Sequence, residues 1–105
     1  INSIEQSCIE ACWQCVTACH TCANACTKES DLQAMAKCIA LDMECAVVCK
    51  AVAELLAMES YYSDDLSRLA LNYVHSVQRS ALCIPMNIAS TVLNYVNFAQ
   101  LRATN

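Results

Sequence analysis

Six cysteines occupy positions 8, 12, 15, 19, 22 and 26. Their alternating steps of four and three residues trace a heptad seam, so on a helix all six side chains fall on one side. Cys38, Cys45 and Cys49 continue the pattern farther along, with Met35, Asp42, Val52 and Leu56 in the same register. Thiols can serve as nucleophiles, as redox pairs or as soft metal ligands, and the spacing chooses among these. A redox enzyme needs one CxxC at a helix N-terminus with an activated thiolate. A ladder over two helices singles none out. Structural zinc is normally held by short loops, whereas the CxxC pairs Cys12/Cys15 and Cys19/Cys22 lie inside a continuous helical pattern. The ferredoxin spacing CxxCxxCxxxCP is absent. Monovalent copper is soft, selects thiolate and accepts low coordination numbers. Residues four apart on a helix have Cβ atoms roughly 5–6 Å apart. Two metal–sulfur bonds of about 2.3 Å span most of that gap. Cys8/Cys12, Cys15/Cys19, Cys22/Cys26 and Cys45/Cys49 are four such pairs. Neighbouring pairs could share sulfurs and hold several Cu(I) ions.

Three other readings stay open. Cysteine can be a small core residue, but a seam of it underpacks a bundle by about a few kcal/mol per site unless something fills the space. Ten cysteines is an even number, which also allows a disulfide-stapled helical structural protein, and Cys12 to Cys22 is a CX9C spacing. Cys38 to Cys49 is CX10C, however, so the twin motif fails. Sequestration of Zn(II) or Cd(II) by thiolates is the remaining alternative.

The elements that must position these sulfurs are helices. The chain of 105 residues holds no glycine and one proline, which disfavours turn-rich β architectures. The spacing predicts helices over about 3–28, 31–58, 64–82 and 86–103, in one domain spanning 1–105. Ser30 with Gln33 reads as a capping box opening the second helix. Ser63 reads as an N-cap, followed by Asp64 and Asp65 in a first turn whose dipole favours acids. Leu66, Leu69, Ala70, Tyr73, Val74, Val77 and Ala81 continue at helical spacing. Pro85 suits the start of a fourth helix, with an apolar face of Met86, Ala89, Val92 or Leu93, Val96 and Leu101. Three short connections between such helices predict an all-α, antiparallel four-helix bundle, with the two cysteine-bearing faces turned toward each other inside.

Charge and composition narrow the partners. A net charge of −4 with six Lys and Arg residues disfavours a nucleic-acid surface. The charge-free stretch 80–101 carries Asn87, Asn94, Asn97 and Gln100 and so disfavours a membrane span. The first residues show no basic and apolar leader pattern, so a cytoplasmic protein is expected. No Ser/His/Asp set, paired carboxylate or phosphate loop points to catalysis, and a binding protein rather than an enzyme is expected.

Single residues add weaker candidates. Asp42, on the seam between Cys38 and Cys45, is either an entry-site ligand or a hydrogen-bonded structural group. Met35 is a possible thioether ligand near a bundle end, and Met43 and Met86 share that ambiguity. Cys83, before Pro85, is a possible mouth ligand or a free thiol. His20 and His75 are expected at the surface or an interface, and Trp13 between helices.

These residues resemble the copper storage protein family. The resemblance lies in Cys8-Ile9-Glu10-Ala11-Cys12, in the ladder to Cys26, and in Cys38-Ile39-Ala40-Leu41-Asp42-Met43-Glu44-Cys45 followed by Cys49. It covers about the first half of the chain. It implies multiple Cu(I) ions bound by thiolates within each bundle, a role in copper homeostasis through storage or detoxification, and a cytosolic form. It also implies assembly into a homotetramer and exchange with copper-accepting proteins or chaperones. Members generally carry cysteines on all four helices and a His-rich connection. Here the third-helix seam reads Ser67, Ala70, Val74, Val77 and Ala81, and the fourth helix has no cysteine. Capacity is then limited to about one ion per cysteine at most.

Overall fold

The computed structural model describes residues 1–81 and 84–104. Four α-helices follow one another: α1 Ser3–Cys26, α2 Leu32–Ala57, α3 Ser63–Ala81 and α4 Met86–Thr104. Each packs on its neighbour in the chain, and α4 closes on α1. Cys15 meets Cys45 and Cys26 meets Cys38, so numbers rise along α1 as they fall along α2. Asp64 at the start of α3 likewise meets Arg102 near the end of α4. The result is the expected all-α antiparallel bundle, a rod of 52 × 21 × 20 Å.

Local chemistry sets the helix ends. Asn2 and Glu5 form a capping box, each side chain accepting the other's backbone N–H, at 2.8 and 3.0 Å. α1 ends at Cys26, capped by Thr27, whose hydroxyl donates to the Asn24 carbonyl at 2.6 Å. The expected cap of α2 is corrected: Asp31, not Ser30, accepts the Ala34 N–H at 3.1 Å. Aspartate one residue nearer the helix reaches the orphan donor directly. Ser63 also differs from expectation. The Tyr62 carbonyl already accepts the N–H of Leu66, and the Ser63 hydroxyl donates to the Ser60 carbonyl at 3.0 Å.

The end of α2 is a Schellman turn. Ser60 N–H bonds to the Leu55 carbonyl at 2.9 Å and Glu59 N–H to that of Leu56 at 3.0 Å. The geometry requires a left-handed residue, and Glu59 supplies it with φ 55°. A chain without glycine has to place a side-chain-bearing residue there, at a cost of about 1 kcal/mol.

The interior has two unlike walls. One is sulfur, from α1 and α2. The other is aliphatic and aromatic: Ala70, Val74 and Val77 on α3, with Ile88, Val92, Tyr95 and Ala99 on α4. The α3 face matches the expected seam. The α4 face matches in part: Ala89 and Val92 are buried and Val96 is half-buried as expected, but Met86, Leu93 and Leu101 are exposed, and Ile88, Tyr95 and Ala99 turn inward instead. The innermost seam, Ile88, Val92, Tyr95 and Ala99, runs in 4-3-4 steps, with Val92 shared with the reading from sequence and Ala89 and Val96 on its flank. Trp13 is 43% exposed rather than packed between helices. Among the described residues, no helix is long and apolar enough to cross a membrane.

Candidate metal centre

The sulfur wall begins with Cys8 and runs through Cys12, Cys15 and Cys19, met from α2 by Cys45 and Cys49, all with no accessible surface. Cys15 Sγ lies 3.9 Å from Cys19 Sγ and 3.7 Å from Cys45 Sγ, and Cys45 Sγ lies 3.9 Å from Cys49 Sγ. Donor atoms of Cys15, Cys19 and Cys45 all lie within 4.8 Å of one another. Farther along, Cys22, Cys26 and Cys38 form a second group, packed against by Met35 and Ile39. Cys26 Sγ and Cys38 Sγ are 3.8 Å apart. Eight of the described cysteines are free thiols: Cys8, Cys12, Cys15, Cys19, Cys26, Cys38, Cys45 and Cys49. Cys22 is disulfide-bonded.

Packing the sulfurs together couples their protons. Hydrogen bonds from Cys19, Cys45 and Cys49 hold the Cys15 thiol far below its ordinary value, outweighing burial. The donors move the other way. Cys19 and Cys45 are raised chiefly by donating to Cys15, and Cys49 chiefly by its bond with Cys12, then by Cys15. Cys12 gains a lowering bond from Cys49, but its contact with Cys8 and burial together raise it. The thiols of the cluster thus compete for shared protons, and the short sulfur–sulfur contacts, in which either thiol can donate, favour one ionised sulfur among protonated neighbours. A soft cation entering the cluster would replace those hydrogens.

The distances select a geometry. Two sulfurs on opposite sides of a linear ion would be about 4.6 Å apart, and two sulfurs of a trigonal site about 4.0 Å, at metal–sulfur bonds of about 2.3 Å. The observed spacings of 3.7 and 3.9 Å are shorter than the linear value and suit a site of three or four ligands, and three sulfurs are at hand here. Cys15, Cys19 and Cys45 can therefore surround one three-coordinate ion, with Cys45 and Cys49 opening onto a second. Besides the CxxxC pairs Cys15/Cys19 and Cys45/Cys49, the Cys15–Cys45 contact allows sulfurs to be shared across the two helices.

The weaker candidates separate clearly. Asp42 is fully buried, and neither carboxylate oxygen has a hydrogen-bond partner. Burial, and then the charge of Cys15, push its carboxyl up to about 6. Met35 is half-buried beside Cys22, Cys26 and Cys38. Met43 and Met86 are exposed, as is His20, and His75 is half-buried. Cys83 lies outside the described residues. A feature not singled out from sequence sits at the opposite end, where the Tyr95 hydroxyl donates to Asp64 at 2.5 Å and Arg102 to both its oxygens at 3.0 and 2.9 Å. Only an acid, a tyrosine and an arginine far apart in the chain signal it, which no periodicity reveals.

Comparison with known proteins adds two findings. The sequence matches the family model of the copper storage protein over residues 1–84. The fold is similar to that of a Cu(I)-bound copper storage protein, BsCsp3, with a TM-score of 0.72 and 24% identity, covering 90% of this chain and 93% of that one. No curated protein matches the sequence.

Proposed function

Because this chain belongs to the copper storage protein family, we propose that it stores several Cu(I) ions on thiolates inside its bundle and catalyses nothing. The observation that carries the reading is the group of Cys15, Cys19 and Cys45, whose buried donor atoms lie within 4.8 Å of one another. Thiolate is the ligand that soft monovalent copper prefers. Each cation also offsets a thiolate charge in a place of low dielectric. Cys8, Cys12 and Cys49 extend this seam in the same buried cluster, while Cys22, Cys26 and Cys38 form a separate group near the end of α1. Among the described residues, the aliphatic wall of α3 and α4 offers no sulfur ligand. The store is therefore one-sided, a single strip between α1 and α2.

A reducing compartment such as the cytosol fits a protein whose buried cysteines work as thiols. Loading and unloading by ligand exchange with other copper-binding proteins fits the same chemistry. Large exposed apolar side chains, among them Trp13, Val47, Leu69 and Leu93, support assembly with further copies, of which a homotetramer is one arrangement.

Anaerobic Cu(I) titration of the reduced chain against a chromophoric chelator tests the reading. Several tight equivalents are expected. Saturation at none or at one rejects storage. Intact mass under non-reducing conditions separates a disulfide-stapled scaffold, in which each bridge removes two hydrogens.

A further inference from the structure

Where α1 stops and α2 begins, the ligand chemistry changes. Asp42 sits one turn beyond Cys38 on α2, facing Cys22 and Cys26 on α1. One donor atom from each of these four lies within 4.8 Å of the others. The Asp42 carboxylate has no accessible surface and no hydrogen-bond partner for either oxygen. No ion pair among the described residues reaches it. A fold does not ordinarily leave an acid dry and unanswered, because the desolvation goes uncompensated. A carboxylate aimed at two sulfurs, with nothing else to bind, is half of a coordination sphere.

We propose that Cys26, Cys38 and Asp42 form a site for one divalent cation of the zinc class, distinct from the copper seam deeper in the bundle. Three properties support it. The donor set is mixed, and zinc takes Cys and Asp together, whereas carboxylate is a poor match for Cu(I). The spacing fits, because sulfurs bound to one tetrahedral ion lie about 3.8 Å apart at bonds of about 2.3 Å, and Cys26 and Cys38 are 3.8 Å apart. The charge fits as well. Two thiolates and a carboxylate carry three negative charges, of which a divalent ion cancels twice what a monovalent one cancels. The site is also reachable, since a cavity of about 480 Å³ lined by Cys22, Cys26, Met35, Lys37 and Cys38 opens beside it. The Cys22 sulfur belongs to the same group of donors and, freed from its disulfide in the fully reduced chain, would supply a fourth ligand.

The test uses the reduced, metal-free full chain under anaerobic conditions. Zn(II) is titrated against a chromophoric zinc indicator, and Co(II) is used as a spectroscopic stand-in. One tight zinc equivalent is expected, together with a tetrahedral cobalt spectrum bearing thiolate charge-transfer bands. Asp42→Asn should weaken zinc by about tenfold or more. Cys15→Ala with Cys45→Ala should lower Cu(I) capacity yet keep the zinc equivalent, so failure of the copper reading and failure of this site are told apart. Absence of a zinc equivalent, several indistinguishable equivalents, or unchanged affinity in Asp42→Asn would overturn the proposal. If Asp42→Asn loses its helicity, Cys38→Ser takes its place. It must weaken zinc and diminish the charge-transfer bands, and unchanged binding overturns the site.

Discussion

Cys15 and Cys45 bring their sulfurs to 3.7 Å across the α1–α2 interface, and Cys15 is also within 3.9 Å of Cys19 on its own helix. Cys15 is thus the atom through which the two helices share one cluster. Cys15→Ala with Cys45→Ala should cut Cu(I) capacity by more than any pair of cysteines nearer the ends. The metal-free fold should lose only about 1–3 kcal/mol, as expected for two small buried groups. Chelator competition and urea unfolding measure the two effects.

The aliphatic wall can be converted. Val74 and Val77 are fully buried in the same core as the α1 and α2 cysteines. Val74→Cys with Val77→Cys nearly conserves volume, so each change should cost less than about 1.5 kcal/mol. Copper capacity should rise, as read by titration with metal analysis. Unchanged capacity would show that α3 is too far from the seam to contribute.

Acid should weaken the fold through Asp64. Partial burial pushes this carboxyl up, but hydrogen bonds from Tyr95 and Arg102 outweigh that and hold it below its ordinary 3.8. A group lowered in the folded state adds stability above its unfolded value and loses it as pH falls through its folded value. Asp64→Asn should therefore be less stable than the parent near neutral pH, and the gap should close at pH values below 3.8. Tyr95→Phe should cost about 1–2 kcal/mol near neutrality. Denaturant midpoints across pH give both.

Glu59 holds a left-handed conformation at the end of α2. Glu59→Gly removes the steric cost while flexibility of the unfolded chain takes back part of it. A net gain of about 0.5–1 kcal/mol is expected, seen as a higher thermal midpoint.

Thiol reactivity should follow depth. Cys26 and Cys38 keep 9% exposure beside the cavity, whereas Cys15, Cys19, Cys45 and Cys49 have none. Hydrogen bonds among the clustered thiols, and then burial, also raise Cys19, Cys45 and Cys49, while Cys38 is pushed up to about 11, first by burial. Alkylation of the native, reduced, metal-free chain should label Cys26 and Cys38 first, as mapped by peptide mass.

What could be read from the chain was whatever repeats. The 4-3 spacing of cysteines placed α1 and α2 and their common face, because helical geometry converts spacing directly into side-chain direction. Ala70, Val74 and Val77 were legible for the same reason. α4 was legible only in part, at Ala89, Val92 and Val96, since Ile88 and Ala89, or Val92 and Leu93, are adjacent apolar residues that support two phases equally. Only packing against α1 and α3 chooses Ile88, Val92 and Tyr95. Ser30 and Asp31 are likewise neighbouring cap formers, separated only by backbone geometry. The left-handed Glu59 left no trace, because no glycine marked the turn. Asp42 was visible on the seam, but its lack of any partner is a three-dimensional property.

The two unlike walls bear on movement as well as on capacity. Val74, Val77, Ile88 and Val92 form a smooth barrier that no soft ion would bind, so cargo has a single track. An ion beside Cys8 would have to step past every later sulfur before meeting water near Cys26 and Cys38. Cargo loaded from that doorway would leave in the reverse of its arrival order, the earliest arrivals staying longest.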